Sequence, residues 1–124
     1  MSKSNKSIMI VDDSKVSRMM IKSKIISKFP DWTVYEAANG DEALALSKEN
    51  NNIDYFSIDF NMPGMDGLEL IEALQNDFPT AQMGLLTANI QEDIFKRAMS
   101  LGAACFHKPI TEQVIEELME YFNG

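Results

Sequence analysis

Acidic, hydroxyl and amine side chains recur in this chain at the ends of short apolar segments. The residues concerned are Asp12, Asp13, Asp59, Thr87 and Lys108. Three carboxylates beside a single amine would repel one another unless a cation neutralised them. Mg²⁺ takes oxygen ligands and is typically held by one or two carboxylates together with a phosphate. The set therefore predicts a Mg²⁺-assisted phosphoryl-transfer site, provided that the fold brings these positions together.

Asp59 is the candidate nucleophile of this site. It ends an apolar segment and precedes a loop, residues 61–67, whose proline and glycines would expose it. A carboxylate can attack phosphorus and form an acyl phosphate. Lys108 could then pair with one phosphoryl oxygen, and Thr87 could donate a hydrogen bond to another. Each residue alone has an equally good structural explanation, such as a strand end or a helix N-cap. Only the placement of these residues at the ends of successive strands favours a phosphoryl-transfer role over these structural explanations.

Five strand-then-helix units would position these residues. Short apolar or β-branched runs predict strands at 8–11, 33–37, 55–59, 82–87 and 105–107. Apolar residues at helical spacing predict helices at 14–28, 41–49, 68–77, 91–101 and 112–122. This alternation predicts an α/β fold in which a parallel sheet carries helices on both faces. A flavodoxin-like sheet is the expected topology, and its site lies beyond the carboxyl ends of the strands.

Composition argues against several other classes of protein. We expect one domain, residues 1–124, with residues 1–6 as an unstructured lead. No apolar run is long enough to span a bilayer and the start does not resemble a signal peptide, so we expect a cytoplasmic protein. Cys105 is the only cysteine, which rules out an internal disulfide. The net charge of −8 makes nucleic acid a poor partner. Basic residues concentrate before residue 29, where they either dock an acidic partner or form a solvated helix face.

The same residues carry a resemblance to a known family. The matching segments are 10–14 (IVDDS) with Arg18, 36–44 (EAANGDEAL), 59–67 (DFNMPGMDG), 86–88 (LTA), 101–103 (LGA) and 108–109 (KP). In this order, over residues 8–122, they resemble the receiver domains of two-component response regulators, the CheY-like domains. The resemblance implies a flavodoxin-like, doubly wound, five-stranded parallel sheet in the order 2-1-3-4-5, with five helices on both faces.

The resemblance also implies roles for the site residues. Asp59 would accept a phosphoryl group from a phosphohistidine or from a small phosphodonor. Asp12, Asp13, Asp59 and the backbone carbonyl of Asn61 would hold Mg²⁺, with Asp12 acting through water. The phosphoryl group would be bound by Asn61, Thr87, Ala88 and Lys108. The Lys108–Pro109 peptide bond would be cis.

By the same resemblance the protein is a switch that catalyses its own phosphorylation and dephosphorylation, not a turnover enzyme. Its expected partners are a histidine kinase or histidine phosphotransfer protein and a downstream target protein, with no membrane or nucleic-acid partner. The first helix, with Lys15, Arg18 and Lys22, is the expected docking surface for the phosphodonor. The fourth helix, fifth strand and fifth helix form the expected output surface, which includes Phe95, Cys105 and Val114.

One position departs from the family pattern. Receivers usually carry an aromatic residue three positions before the lysine, where it moves together with the threonine on phosphorylation. Here Cys105 occupies that switch position, and Phe106 is only two residues before Lys108. Because side chains alternate along a strand, Phe106 should share the face of Lys108 and be core-like, with Cys105 and His107 on the other face. We therefore expect Thr87 to switch without the usual aromatic partner.

Three other functions remain open from the sequence. A Mg²⁺-dependent phosphohydrolase is disfavoured because Asn61 stands where such enzymes usually place a second acid. A binding scaffold with a vestigial site is disfavoured because every residue that the chemistry needs is present. A flavodoxin-like electron carrier would need a phosphate-binding loop after the first strand, where Asp12 and Asp13 would instead repel a flavin phosphate.

Overall fold

The computed structural model describes residues 5–89 and 91–124, in which strands and helices alternate along the chain. The strands are Ser7–Val11 (β1), Thr33–Ala37 (β2), Tyr55–Asp59 (β3), Gln82–Thr87 (β4) and Ala104–His107 (β5). The helices are Lys15–Lys28 (α1), Gly40–Glu49 (α2), Gly67–Gln75 (α3), Glu92–Ser100 (α4) and Glu112–Asn123 (α5). The bounds of β2, β3 and β4 are as predicted, and β1 and β5 begin one residue earlier than predicted. The helices differ from the prediction by one or two residues at one or both ends, where helices fray. Residues 1–4 of the expected unstructured lead lie outside the described residues.

All strand pairings are parallel, and the sheet order is β2-β1-β3-β4-β5, as predicted. The order reverses between β1 and β3, which places a crevice beyond their carboxyl ends. Val11 of β1 pairs with Ile58 of β3. The next residues, Asp12 and Asp59, therefore lie at the same level on the edge of the sheet.

Two apolar clusters cover the two faces of the sheet. Met9 and Val11 of β1 pack in the cluster that includes residues of α2, α3 and α4, whereas Ile8 and Ile10 pack in the cluster that includes residues of α1 and α5. All four side chains are fully buried. A strand covered on both faces needs a continuous apolar run rather than an alternating one, which explains the sequence of β1.

Side-chain caps begin the helices next to the site. The Ser14 hydroxyl accepts a hydrogen bond from the Ser17 amide at 3.2 Å, so α1 begins directly after Asp13. Asp66 and Glu69 form a capping box at the start of α3. These caps end the loops that follow β1 and β3 and so limit where the site residues can lie. Among the helices within 5–89 and 91–124, none is long and apolar enough to cross a bilayer.

Candidate functional site

Three carboxylates meet at the carboxyl edge of the sheet. One oxygen from each of Asp12, Asp13 and Asp59 lies within 4.8 Å of the others. Asp12 and Asp59 are buried, whereas Asp13 is exposed. The equal level of β1 and β3 in the sheet produces this convergence, so the structure brings together the carboxylates that the sequence grouped.

A single ammonium group faces this acidic cluster. The Lys108 Nζ lies 2.9 Å from Asp59 Oδ1 and 3.6 Å from Asp12 Oδ2. Its backbone amide donates a hydrogen bond to the carbonyl of Thr87 at 2.9 Å, which ties the end of β5 to the end of β4. The Lys108–Pro109 peptide bond is cis, as predicted. Among the described residues, Lys108 is therefore the one side chain that forms ion pairs with the two buried carboxylates of the cluster.

The pKa values of the site reflect this imbalance. Burial raises the pKa of Asp59 to about 6, and the hydrogen bond from Lys108 only partly opposes that rise. Burial by itself lowers the pKa of Lys108, but its hydrogen bond to Asp59 and the charges of Asp59 and Asp12 outweigh burial and raise it. The site thus holds more negative charge than its protein groups neutralise, and it favours the uptake of a proton or a cation.

Asp12 presents its Oδ2 to such a cation, with the Lys108 ammonium 3.6 Å away as an ion-pair contact. Its amide donates to the Ala37 carbonyl at 3.1 Å, and its Oδ1 accepts from the Ser14 amide at 2.8 Å. Its carbonyl accepts from Arg18 Nη1 at 2.6 Å. Among the described residues the buried Oδ2 has no hydrogen-bond partner. A buried oxygen of this kind beside two further carboxylates suits a hard divalent cation, so the acidic pocket is compatible with Mg²⁺.

Thr87, Ala88 and Asn61 lie beside this pocket in different environments. Thr87 is buried, and its hydroxyl accepts a hydrogen bond from the Asn89 amide at 2.9 Å. Ala88 follows β4 directly, Asn61 lies two residues after β3, and both are exposed. Within the described part of the chain no hydrogen bond joins either of them to the acidic cluster. The predicted roles of Asn61 and Ala88 therefore rest on their backbone positions.

The side chains of Cys105 and Phe106 in β5 lie on opposite faces of the sheet, as predicted. Phe106 packs against the cluster of α1 and α5, with its ring centroid 5.9 Å from that of Tyr121, although it is only partly buried. Cys105 packs against the opposite cluster, and burial raises the pKa of its thiol. The His107 ring meets Phe95 of α4 edge to face at 5.3 Å. The position three residues before Lys108 is thus a half-buried cysteine on the α4 side of the sheet.

Arg18 and Glu36 form an ion pair next to the site that the sequence did not predict. Arg18, a predicted docking contact, has its Nε 3.0 Å from Oε1 of Glu36 in β2. Its side chain is only 15% exposed. The sequence offered one indication of this ion pair, because Glu36 is an acidic residue within β2, a strand that is otherwise apolar except for its first residue.

Comparison with known proteins gives a consistent assignment. The family model described as response regulator receiver domain matches residues 8–120. The chain is 34% identical over 119 residues to the glycerol metabolism activator of Pseudomonas putida, covering 94% of this chain but only 54% of that protein. It is 33% identical over 124 residues to the chemotaxis protein CheY of Pseudomonas aeruginosa, covering 94% of this chain and 98% of that one. The chain therefore spans about half of the first relative and nearly all of the second.

A similar architecture also occurs among solved structures. The CheX–CheY–BeF₃–Mg²⁺ complex from Borrelia burgdorferi superposes with a TM-score of 0.84 at 26% sequence identity. The match covers 94% of this chain and 89% of that one.

Proposed function

Because the chain belongs to the response-regulator receiver family, whose members act as switches in two-component signalling, we propose that Asp59 accepts a phosphoryl group from a phosphohistidine. The observation that carries this proposal is the convergence at Asp59. Its buried carboxylate lies 2.9 Å from Lys108 Nζ and within 4.8 Å of oxygens from Asp12 and Asp13. In this function the protein is phosphorylated and dephosphorylated itself and does not turn over external substrates.

In the proposed transfer, a carboxylate oxygen of Asp59 attacks the phosphorus of the phosphohistidine. A P–O bond forms as the P–N bond breaks, and the imidazole nitrogen of the donor keeps the electron pair. Lys108 is already beside the attacking group and would pair with a phosphoryl oxygen. The hydroxyl of Thr87 and the backbone of Ala88 would donate hydrogen bonds to other phosphoryl oxygens. Water later attacks the phosphorus of the acyl phosphate, the P–O bond to Asp59 breaks, and inorganic phosphate leaves as the Asp59 carboxylate is restored.

Asp12, Asp13, Asp59 and the carbonyl of Asn61 would hold Mg²⁺ at this site. When bound, the ion supplies positive charge that neutralises the phosphoryl oxygens and orients the group for in-line attack. The buried Oδ2 of Asp12, which has no hydrogen-bond partner among the described residues, supports this assignment. The similar Borrelia complex, which contains Mg²⁺ and BeF₃, supports it as well.

The phosphodonor, a histidine kinase or histidine phosphotransfer protein, would dock on α1. The side chains of Val16, Met19 and Ile26 are 66%, 57% and 50% exposed, and Met19 lines a groove together with Ile115 of α5. The helix carries five basic residues and no acidic one. Three of them form ion pairs with other elements, Arg18 and Lys22 with Glu36 and Lys24 with Glu112 and Glu116, and Lys15 and Lys28 carry no such pair among the described residues. An exposed apolar face with basic edges suits a partner helix that has an apolar face and acidic edges.

The downstream target would bind the surface formed by α4, β5 and α5, which includes Phe95, Cys105 and Val114. Phosphorylation would change this surface through Thr87, because its carbonyl is tied to the Lys108 amide at the end of β5. The Cys105 side chain is much smaller than the aromatic residue that usually moves with the threonine at this position, so it cannot take over that role. Such a switch acts through protein contacts in the cytoplasm, without a membrane or nucleic-acid partner.

The proposal is tested by incubating the protein with acetyl phosphate, with and without Mg²⁺, and measuring its intact mass. We expect a Mg²⁺-dependent gain of one phosphoryl group that Asp59→Asn abolishes. The control is Asp31→Asn, an exposed aspartate two residues before β2 and hence at the opposite edge of the sheet, which should be phosphorylated like the wild type. No gain from acetyl phosphate or from a panel of phosphorylated kinases would favour a scaffold with a vestigial site.

A further inference from the structure

A chain of polar contacts links the surface of α1 to the acidic site. Lys22 Nζ lies 3.2 Å from Glu36 Oε2, and Arg18 Nε lies 3.0 Å from Glu36 Oε1. The same guanidinium donates through Nη1 to the carbonyl of Asp12 at 2.6 Å. Because the guanidinium is planar and its donors are fixed relative to one another, Glu36 determines the direction in which Arg18 meets that carbonyl.

The contact with the Asp12 carbonyl affects both acidic residues that follow β1. That carbonyl belongs to the peptide plane joining Asp12 to Asp13, so fixing the oxygen fixes the direction in which the chain continues. The Asp12 amide is bonded to Ala37 and its Oδ1 to Ser14. Arg18 provides the third anchor, after which Oδ2 is the one polar atom of Asp12 left without a hydrogen-bond partner among the described residues.

The position of the Asp13 carboxylate depends on this peptide plane more than the position of the Asp12 carboxylate does. Asp12 is buried and held by its own side chain, whereas Asp13 is exposed. Its carboxylate reaches within 4.8 Å of the other two from a backbone position that lies between the end of β1 and the cap of α1. The orientation of the peptide plane therefore decides whether the exposed carboxylate meets the buried pair.

We propose that Arg18, oriented by Glu36, is a positioning residue that holds the Asp12–Asp13 peptide so that the three carboxylates can bind one divalent cation. This inference rests on the proposed function, in which Mg²⁺ is bound by Asp12, Asp13 and Asp59. Arg18 does not touch the reacting atoms and acts through the backbone of Asp12. Groups that orient the ligands of a metal typically change its affinity 10- to 100-fold when they are removed.

Charge would obscure a test that removed Arg18 alone. The loss of one positive charge, with Glu36 left to pair with Lys22 alone, would by itself strengthen the attraction of a cation to the site. The informative variant is Arg18→Gln/Glu36→Gln, which removes the pair and leaves the net charge unchanged. Its matched control is Lys24→Gln/Glu116→Gln, which removes an ion pair of similar length, 3.1 Å, between α1 and α5 and involves no site residue.

The experiment measures the Mg²⁺ dissociation constant by isothermal titration calorimetry, at a temperature where thermal unfolding shows each variant to be folded. For Arg18→Gln/Glu36→Gln we expect a constant about 10-fold higher than that of the wild type. The control pair should leave it unchanged, and Arg18→Lys, which can still donate to the carbonyl, should lie between. Phosphorylation by acetyl phosphate should then need more Mg²⁺ but reach nearly the wild-type rate at saturation.

The possible failures can be told apart. If the wild type binds no Mg²⁺, the proposed function is overturned and this inference with it. If the wild type binds Mg²⁺ and the Arg18→Gln/Glu36→Gln protein binds it equally well, the positioning role is wrong and the proposed function stands. If the double variant does not fold, Arg18→Lys decides, because a wild-type Mg²⁺ affinity would contradict the need for a guanidinium held by Glu36.

Discussion

Burial and charge act in opposite directions on the carboxylate of Asp59. The side chain is 3% exposed, and desolvation disfavours its ionised form, whereas Lys108 Nζ at 2.9 Å favours it. Desolvation prevails, with the added repulsion of Asp12, and the pKa rises to about 6. Without a cation, the residue proposed as nucleophile therefore carries its negative charge at a cost to the stability of the fold.

This cost predicts how Asp59→Asn changes stability in the absence of divalent cations. The folded-state pKa of about 6 lies above the ordinary value of 3.8, so the folded protein binds more protons between these pH values. Its stability should fall as pH rises from about 4 to about 6 and stay lower above that range. Asp59→Asn should remove this loss and stabilise the metal-free protein by about 1 to 3 kcal/mol at pH 7.5.

The measurement is urea unfolding in EDTA at pH 7.5 and at pH 4. The advantage of Asp59→Asn should shrink strongly at pH 4, where most of the Asp59 carboxyl in the folded wild type is already protonated. With saturating Mg²⁺ the advantage should disappear or reverse, since the ion stabilises only a protein that binds it. An Asp59→Asn protein less stable than the wild type in EDTA at pH 7.5 would contradict the cost assigned to this charge.

The junction between β3 and α3 determines how closely the helix approaches the strand that carries Asp59. A Cβ atom on Gly67 would lie 2.6 Å from the Asp59 carbonyl oxygen and 2.9 Å from the Phe60 Cα. The Gly67 amide donates a hydrogen bond to the Phe60 carbonyl at 3.0 Å. Position 67 therefore requires glycine, because the backbone at the start of α3 lies against the backbone at the end of β3. This contact fixes both ends of the loop that contains Asn61.

Gly67→Ala should lower the free energy of unfolding by about 1 to 3 kcal/mol, because backbone atoms cannot move aside as a flexible side chain can. The matched control is Gly40→Ala, which changes the first residue of α2 in the same way. A Cβ on Gly40 would meet Met65 Sδ at 3.0 Å, a flexible side chain, so this variant should change stability by less than about 1 kcal/mol. Urea unfolding of both proteins measures the difference, and equal stabilities would contradict the backbone clash at Gly67.

Charge is unevenly distributed over the whole molecule. The net charge is −8, yet α1 carries five basic residues and no acidic one. Most of the surface therefore repels an acidic partner, and α1 attracts it. Its exposed apolar side chains lie on the same helix, so long-range attraction and short-range apolar contact coincide at the proposed docking surface.

Met19→Glu should weaken phosphotransfer from a protein donor about 10-fold, because the new carboxylate would be buried against the apolar face of the partner. Phosphorylation by acetyl phosphate should stay at the wild-type rate, since the acidic site is untouched. The control is Met99→Glu on α4, a methionine that is 75% exposed and lies outside the docking surface. The phosphotransfer rates of both variants are measured with a radiolabelled phosphotransfer domain that phosphorylates the wild type. Equal losses in the two variants would contradict docking on α1.

Much of this molecule is determined by local sequence. Apolar and β-branched runs located β2, β3 and β4 to the residue, and helical periodicity located the helices to within two residues at each end. Strand burial and helix amphipathicity impose their patterns directly on the sequence. The alternation of strands and helices, with right-handed crossovers, was enough to predict the sheet and the edge to which Asp12, Asp13, Asp59, Thr87 and Lys108 belong. The opposite orientations of Cys105 and Phe106 followed from the two-residue period of a strand.

Only the tertiary structure decided which polar groups meet and which are left free. Arg18 and Glu36 are 18 residues apart in sequence. They make contact because β2 pairs with β1 and α1 packs against the face of the sheet that both strands share. Three contacts, from β2, from the start of α1 and from Arg18, occupy the other polar atoms of Asp12 and leave Oδ2 without a hydrogen-bond partner among the described residues. Periodicity states which face a side chain occupies but not which partner lies within hydrogen-bonding distance. That distance depends on how separate elements pack, and a one-dimensional pattern does not contain it.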